Sequence, residues 1–393
     1  MTGSGVLDVL LILLLLAFLA YGYSAGFVRS LSGILGVVVG AIAAFFVVPY
    51  VGSWIPAPEW RTPATLTVAL LLILGGLSIG TALGRALRRQ VDRTKLGVLD
   101  RVLGAAVTFV ASALVISLLA FSIGSLGVPF LSASIASSGV VRTIDSLTPG
   151  PVRGFLAQVR SMATQEGLPR LVEAFQGPSP EIPQFDTGSP ALTEAAQSVV
   201  RITGNAYACG QNQSGSGWVV ARDRIVTNAH VVAGVTEPVV EAPGLGALTG
   251  TVVYFDPVDD LAVIAVRGLS APAIGLTADL AAGSRAVTHG YPFGGPFDSD
   301  AAEVISVGPL RVADIYGDAP APRDVYTLAA DVQQGESGGP LLSEAGLVAG
   351  VIFAKAADTP NVGYALAMTE VQPVAAQAAA LSATVSSGTC VQQ

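Results

Sequence analysis

The chain has 393 residues, of which 51% are hydrophobic and only 12% charged, and its mean hydropathy is +0.63. Residues 191–393 hold 19 acidic against 8 basic side chains, so this half lacks the basic face that phosphate binding requires, which excludes nucleic acid as its partner. The length allows two or three domains, and the apolar excess is concentrated in the first 125 residues, pointing to a membrane portion.

Four apolar runs come first, at Val6–Ser24, Leu31–Val51, Ala64–Gly84 and Val102–Ile123. Each is long enough to cross the hydrocarbon core as a helix. No Lys or Arg precedes the first run, so it reads as a retained span rather than a signal peptide. The third connection carries Arg85, Arg88, Arg89, Arg93, Lys95 and Arg101, and the first carries Arg29, whereas the second carries only Arg61. The positive-inside bias makes the first and third loops cytoplasmic, and four spans then place both termini and the acidic half outside. Gly36-x-x-x-Gly40 and Gly76-x-x-x-Gly80-x-x-x-Gly84 align small residues for close helix packing. The span interiors contain no ionisable residue, Asp8 lying near an end, which argues against ion transport.

Residues 125–176 contain helix-compatible pieces at Val152–Met162 and Leu168–Phe175, the first punctuated by Arg153 and Arg160 and suited to the membrane–water interface or to ordinary packing. Residues 177–190 hold four prolines and two glycines and read as an extended linker. A short helix is expected at Ala191–Gln197. From Ser198 onward short β-rich runs alternate with glycine turns: Val199–Ile202, Gly217–Val220, Arg224–Thr227, Gly250–Tyr254, Leu261–Val266, Ala286–Thr288, Tyr326–Ala329, Leu347–Phe353 and Tyr364–Met368. Such spacing predicts an all-β double barrel. The expected domains are thus a four-span membrane block at 1–124, an extracytoplasmic helical segment and linker at 125–190, and a β domain at 191–393.

The chemistry centres on Gln334-Gly335-Glu336-Ser337-Gly338-Gly339-Pro340-Leu341. A serine between glycines projects bare from a tight turn, and the amides of Gly335 and Ser337 are the candidate oxyanion donors. Of the two histidines, His230 lies in VTNAHVV at a strand end, and Asp260 lies in VDDLAV directly before a strand. The order His230, Asp260, Ser337 has gaps of 30 and 77 residues. An α/β-hydrolase elbow requires a histidine after the serine, and none follows. A subtilisin order would require an acid before His230, such as Asp223, without support around Ser337. The chymotrypsin order remains. Asp259 is the rival acid. His289, in THGYP, lacks a metal-ligand cluster and reads as packing, and neither a metal nor a cofactor is expected. Cys209 and Cys390, far apart and outside the cytoplasm by the topology above, are expected to form a disulfide.

The four-span block with its basic third loop resembles the CvpA-like colicin V production family. GSGW at Gly215–Trp218, VTNAHVV, DDLAVIAV and QGESGGPL resemble the trypsin-like fold, particularly its HtrA/Deg branch, over Ser198 to Glu370. The whole layout resembles the mycobacterial membrane-anchored acid-resistance serine proteases. The resemblance implies a serine endopeptidase with Asp260 as the triad acid, protein substrates in the cell envelope, and a role in acid or oxidative stress. It also implies that Phe353, Ala354 and Lys355 pair with substrate backbone. Asp331, six residues before Ser337, stands where trypsin-like enzymes place the acid of a basic-specific S1 pocket. Only 23 residues follow Glu370, so no PDZ domain is expected. Acid sits awkwardly with a histidine base, since free imidazole has a pKa of about 6.5. The linker at 177–190 is a candidate substrate of the enzyme itself. A membrane scaffold or transporter with a sensing protease-fold domain is the alternative, opposed by the complete triad.

Overall fold

The structure, a computed structural model, describes residues 3–54, 58–91, 97–124, 131, 134–135, 137–161, 168–171, 175, 177–206, 211–318 and 320–391. It divides into two compact units, Met1–Ser117 and Leu118–Gln393.

The first unit is helical: α1 (Gly3–Ala25), α2 (Phe27–Trp54), α3 (Pro58–Val91) and the start of α4 (Gly97–Gly124). Each contains a stretch long and apolar enough to cross a membrane, at Gly5–Ala25, Phe27–Val48, Pro63–Arg88 and Gly97–Ala120. The helices outrun the apolar runs read from the sequence. Arg85, Arg88 and Arg89 continue α3 instead of forming a loop, and Asp100 and Arg101 lie inside α4; Arg93 and Lys95 lie outside the described residues. The expectation of spans free of ionisable residues therefore needs correction at Asp100. Its carboxylate is buried, accepts the Val28 N–H at 3.1 Å and faces Arg88 at 3.6 Å. Arg88 in turn donates to the Ser24 carbonyl at 2.6 Å. An ionised group persists among apolar helices only with such partners.

The glycine stripes of α2 and α3 face each other. A Cβ added at Gly36 would lie 2.2 Å from the Gly76 carbonyl oxygen, and one at Gly76 would lie 2.1 Å from that of Gly36. Gly80 approaches the Ser32 carbonyl as closely, at 2.2 Å. With lipid as solvent, such backbone contact is the main source of helix association.

The second unit adds two short helices, α5 (Gly139–Leu147) and α6 (Gly150–Ser161). The sequence reading missed α5, which Ser138 caps by accepting the Val141 N–H. Arg153 of α6 faces Asp145 of α5 at 3.3 Å. The helix expected at Leu168–Phe175 is a misreading. Arg170–Leu171 form strand β1, residues 172–174 lie outside the described set, and Pro169 disfavours helical backbone at Leu168.

The linker is extended as expected, but it is not free. Ser179 Oγ donates to the Pro360 carbonyl, Asn361 Nδ2 to that of Pro180, and Thr187 Oγ1 to that of Ser299. Arg285 stacks over the Phe185 ring at 5.3 Å. Helix α7 (Pro190–Ala196) follows, capped by Ser189, close to the helix expected at Ala191–Gln197.

Two sheets make up the remainder. The first contains β2 (Val199–Ala206), β3 (Gln211–Ala221), β4 (Arg224–Thr227), β5 (Val239–Ala242), β6 (Gly246–Thr249), β7 (Thr251–Asp256) and β8 (Leu261–Ala265), in the order β6-β5-β2-β3-β4-β8-β7. The second contains β9 (Arg285–Gly290), β10 (Asp298–Val312), β11 (Ala321–Ala329), β12 (Pro340–Ser343), β13 (Val348–Ala356) and β14 (Val362–Ala367). Its order β13-β12-β9-β10-β11-β14 returns to β13 through the β13–β14 pairing, so this sheet closes on itself, with β1 added beside β13. Closure leaves no long unpaired edge.

Strand alternation builds three cores. Val200, Ile202, Val219, Ile225, Ala262 and Ile264 fill the first sheet's interior. Ala286, Tyr326, Leu328, Leu341 and Ile352 fill the second. The opposite faces of the same strands, including Val199, Trp218, Val226, Val263, Val287, Val351 and Phe353, meet in a shared seam.

Replacing Gly76 with leucine is expected to destabilise the helical unit of the full chain by about 1–3 kcal/mol, because two backbones must separate. Thermal unfolding in detergent checks this, and an unchanged transition would contradict the close approach.

Candidate active site

His230 sits on a one-turn helix, α8 (Ala229–Val232), directly after β4. Asp260 immediately precedes β8 and adopts a left-handed backbone, φ 54°. This uncommon conformation aims its carboxylate back at α8. Asp260 Oδ2 lies 2.7 Å from His230 Nδ1, while Oδ1 accepts the His230 backbone N–H at 2.9 Å. One carboxylate thus fixes both ring and backbone of the histidine. Asn228 Nδ2 donates to the Asp260 carbonyl at 2.8 Å, fastening the two segments from the other side. The structure brings Asp260 to His230, and Asp259 points elsewhere. Burial and neighbouring Asp256 raise the Asp259 pKa.

Ser337 is delivered by the second sheet on a turn whose glycines meet real obstacles. A Cβ at Gly338 (φ 82°) would lie 2.2 Å from the Ser216 carbonyl oxygen and 3.0 Å from the Asn228 nitrogen. One at Gly335 (φ 93°) would strike the Tyr291 carbonyl at 2.5 Å. The turn therefore packs directly on β3 and on the segment that bears His230. The Ser216 N–H donates to the Ser337 carbonyl at 2.7 Å, and the Ser216 hydroxyl donates to the Gly335 carbonyl at 2.7 Å. The same hydroxyl accepts the Tyr291 N–H at 2.9 Å, and Thr227 Oγ1 donates to the Ser216 carbonyl at 2.7 Å. Ser216 is the positioning residue that the sequence reading missed. Its only signal was the GSGW run, where it stands one residue before the expected strand Gly217–Val220.

The Gln334 carbonyl accepts the Phe293 N–H, which turns it into the 291–294 loop. The Gly335 N–H belongs to the same trans peptide and therefore points the opposite way. Neither the Gly335 nor the Ser337 N–H donates to another described group. Arg201 of β2 braces the loop from the first sheet: it donates to the Gly294 carbonyl at 2.8 Å while paired with Glu241.

Beneath the turn lie two buried titratable groups. Glu336 is 1% exposed, and burial, reinforced by Asp300, Asp298 and Asp331, pushes its carboxyl up to about 8 despite the Gln333 N–H bonded to it. Asp300 is likewise pushed up to about 6 by burial and by Asp298 and Asp331. His289 is 1% exposed, packs edge-on against Phe297 with centroids 5.0 Å apart, and is lowered to about 4 by burial. Among the described residues no His, Cys, Asp and Glu group is arranged to hold a metal.

Of the remaining candidates, Asp331 and Lys355 line one open cavity together with Arg170. Asp331 is exposed, and its carboxylate accepts the Gln333 side-chain amide, so it does not floor a buried pocket. Phe353 and Ala354 are buried in the seam, the Phe353 ring under Arg323 at 5.7 Å, while Lys355 is half-buried. Cys390 lies beside Gly234, where an added Cβ would meet its Sγ at 3.0 Å and Ala206 Cβ at 3.3 Å. Cys209 lies outside the described residues.

A serine on a glycine-framed turn that packs on the segment bearing a histidine, with that histidine held by a buried aspartate, is the arrangement of a trypsin-like serine protease. Comparison with known proteins agrees and adds the helical unit. The family described as trypsin-like peptidase domain matches residues 215–351, and the family described as colicin V production protein matches residues 7–149. The chain is 35% identical over 403 residues to serine protease Rv3671c of Mycobacterium tuberculosis, covering 100% of both chains. It is 29% identical over 261 residues to the putative serine protease HhoB of Synechocystis, covering 62% of each. The crystal structure of the Rv3671c protease in its active form is 38% identical, covers 56% of this chain and 100% of its own, and superposes with a TM-score of 0.52. The chain belongs to the Rv3671c family of serine proteases, which join a colicin V production-type region to a trypsin-like domain.

Glu336→Gln provides a pH test. The folded-state pKa of Glu336 lies above its ordinary 4.5, so its contribution to stability is complete below pH 4.5 and is lost as pH rises through about 8. The melting temperature of the native chain should fall between pH 5 and pH 8.5, and the glutamine variant should lose that part of the slope. Identical slopes would show that Glu336 is not held neutral.

Proposed function

We propose that this protein is a membrane-tethered endopeptidase working outside the cytoplasm. Ser337 Oγ attacks the peptide carbonyl, and His230 Nε2 takes its proton and returns it to the leaving amine. Asp260 fixes the tautomer with the proton on Nδ1 and stabilises the imidazolium. The Gly335 and Ser337 N–H groups receive the oxyanion. The observation that carries this reading is the two-point hold of Asp260 on His230 beside the Ser337 turn.

The loop charges read from the sequence support an extracytoplasmic protease domain. The boundaries at 124 and 190 divide anchor, connecting segment and enzyme. Envelope proteins are then the accessible substrates, and the family resemblance supports a role in acid or oxidative stress. Self-cleavage within 177–190 remains part of the proposal, but it requires first releasing the Ser179, Thr187 and Asn361 contacts.

A Cys209–Cys390 bridge completes the reading. Its support is the placement of Cys390 beside Ala206, the last residue of β2 and three positions before Cys209. Closing a loop of that length stabilises by up to about 5 kcal/mol less strain. Reductant should lower the melting temperature, and equal melting with and without it would remove the bridge.

Ser337→Ala and Asp260→Asn should each lower kcat/KM on a peptide substrate by about 10⁴-fold or more, while Asp259→Asn should stay within about threefold. Near-native activity in Asp260→Asn would overturn the assignment. A cellular function that survives in Ser337→Ala would favour a scaffold.

A further inference from the structure

Strand β13 is paired unequally along its two edges. One edge is taken by β14 from Gly350 to Lys355. On the other, β12 covers Val348–Val351, and the Ser337 turn continues the pairing. There the Gly338 N–H donates to the Ile352 carbonyl at 2.8 Å, and the Ile352 N–H to that of Gly339 at 2.9 Å. Just beyond this turn the edge would open toward substrate. In the structure it is occupied by the chain itself. Arg170 and Leu171 of β1 run parallel to β13 opposite Lys355 and Ala356. The Lys355 N–H donates to the Pro169 carbonyl at 3.1 Å, and the Ala357 N–H donates to the Leu171 carbonyl at 3.0 Å.

The segment is anchored as well as paired. Leu168 is 7% exposed and belongs to the core inside the second sheet, and Leu171 packs against the seam. Pro169 has no N–H to offer a further strand, so the segment ends the sheet rather than extending it. Because β1 is parallel to β13, it runs N to C away from the Ser337 turn. Its Pro169 and Leu171 carbonyls are spent on β13, which holds the edge without presenting a peptide to Ser337.

We infer that Leu168–Leu171 is an internal strap that occupies the substrate-pairing edge of β13 and must leave before an extended peptide can bind. The inference rests on the peptidase reading above and on substrate adding as a strand at Lys355. A peptide reaching along β13 needs the Lys355 N–H that Pro169 already holds. A short substrate that stops at Ser337 does not. The strap therefore acts as a tax on affinity for long substrates alone, set by the fraction of molecules in which it is docked.

The test uses the full chain in detergent and the double variant Leu168→Asp/Leu171→Asp, which removes both anchors. Two substrates share one leaving group, a single-residue ester and a tetrapeptide ester. The variant should gain about tenfold in kcat/KM on the tetrapeptide through a lower KM, with the single-residue ester within twofold of native. No gain on the tetrapeptide, with ester turnover preserved, overturns the strap. Loss of ester turnover that matches Ser337→Ala in the native chain would instead defeat the peptidase reading. A parallel fall on both substrates in the double variant would mark the leucines as structural, and the second measurement then decides. Hydrogen exchange on the Ser337→Ala full chain should show faster exchange at the Ala357 amide, which donates to the Leu171 carbonyl while the strap is docked, when a saturating tetrapeptide amide binds. Unchanged exchange there, with the peptide bound, refutes displacement.

Discussion

The geometry of the candidate site depends on one hydrogen-bonded clasp, Ser216 against the Ser337 turn. In the proposed triad the first sheet supplies His230 and Asp260 and the second supplies Ser337, so neither sheet would hold the site by itself. Ser216 of β3 joins them with three bonds: its N–H to the Ser337 carbonyl, its hydroxyl to the Gly335 carbonyl, and the same hydroxyl from the Tyr291 N–H. Every polar atom of that short residue is engaged with the other sheet or with Thr227. A clasp this tight requires that nothing project between the two backbones, which is why Gly335 and Gly338 admit no side chain. The glycines flanking the nucleophile thus serve contact between sheets as much as exposure of the serine.

The turn rests on groups that prefer to be neutral. Glu336 and His289 are both buried beneath it, and burial moves the first up to about 8 and the second down to about 4. Between those values neither of the two carries charge. Outside them the cost differs in sign. Above pH 8 a carboxylate would form next to Asp298, Asp300 and Asp331. Toward pH 4 an imidazolium would form with no hydrogen-bond partner at either ring nitrogen. The foundation of the site is therefore suited to the mildly acidic to neutral range.

Much of this was legible from residue types and their order. The order His230, Asp260, Ser337 singled out three candidates because only two histidines compete, and the structure joins the first two of them through the Asp260 carboxylate. The apolar spans and the facing glycine stripes were legible too: bilayer thickness and close helix packing leave direct traces in sequence. What escaped were features decided by contact with distant chain. Strand β10 was missed because Asp298–Val312 is polar and interrupted by Gly308 and Pro309, and it is a strand only because β9 and β11 flank it. Ser216 stood just outside the expected strand Gly217–Val220, and only its contacts with the Ser337 turn reveal its part. Asp100 looked like a loop residue outside the fourth span until Arg88 and the Val28 N–H were found beside it. Leu168–Phe175 has a helical pattern that β13 overrides.

That last override connects the fold to the control of access. A single strand, β13, closes the second sheet through β14, receives the Ser337 turn at Ile352, and beyond it gives the Lys355 N–H to Pro169. An edge that accepts substrate backbone, as proposed for β13, cannot be blunted by charge or covered permanently, since that would remove the function. It can be held by a segment whose pairing is short enough to release. Two backbone bonds and two leucine anchors form such a segment. The proline between those leucines prevents it from recruiting another strand while it waits. The physical demand for an open edge at the catalytic turn and the hazard of leaving it open are met by the same four residues.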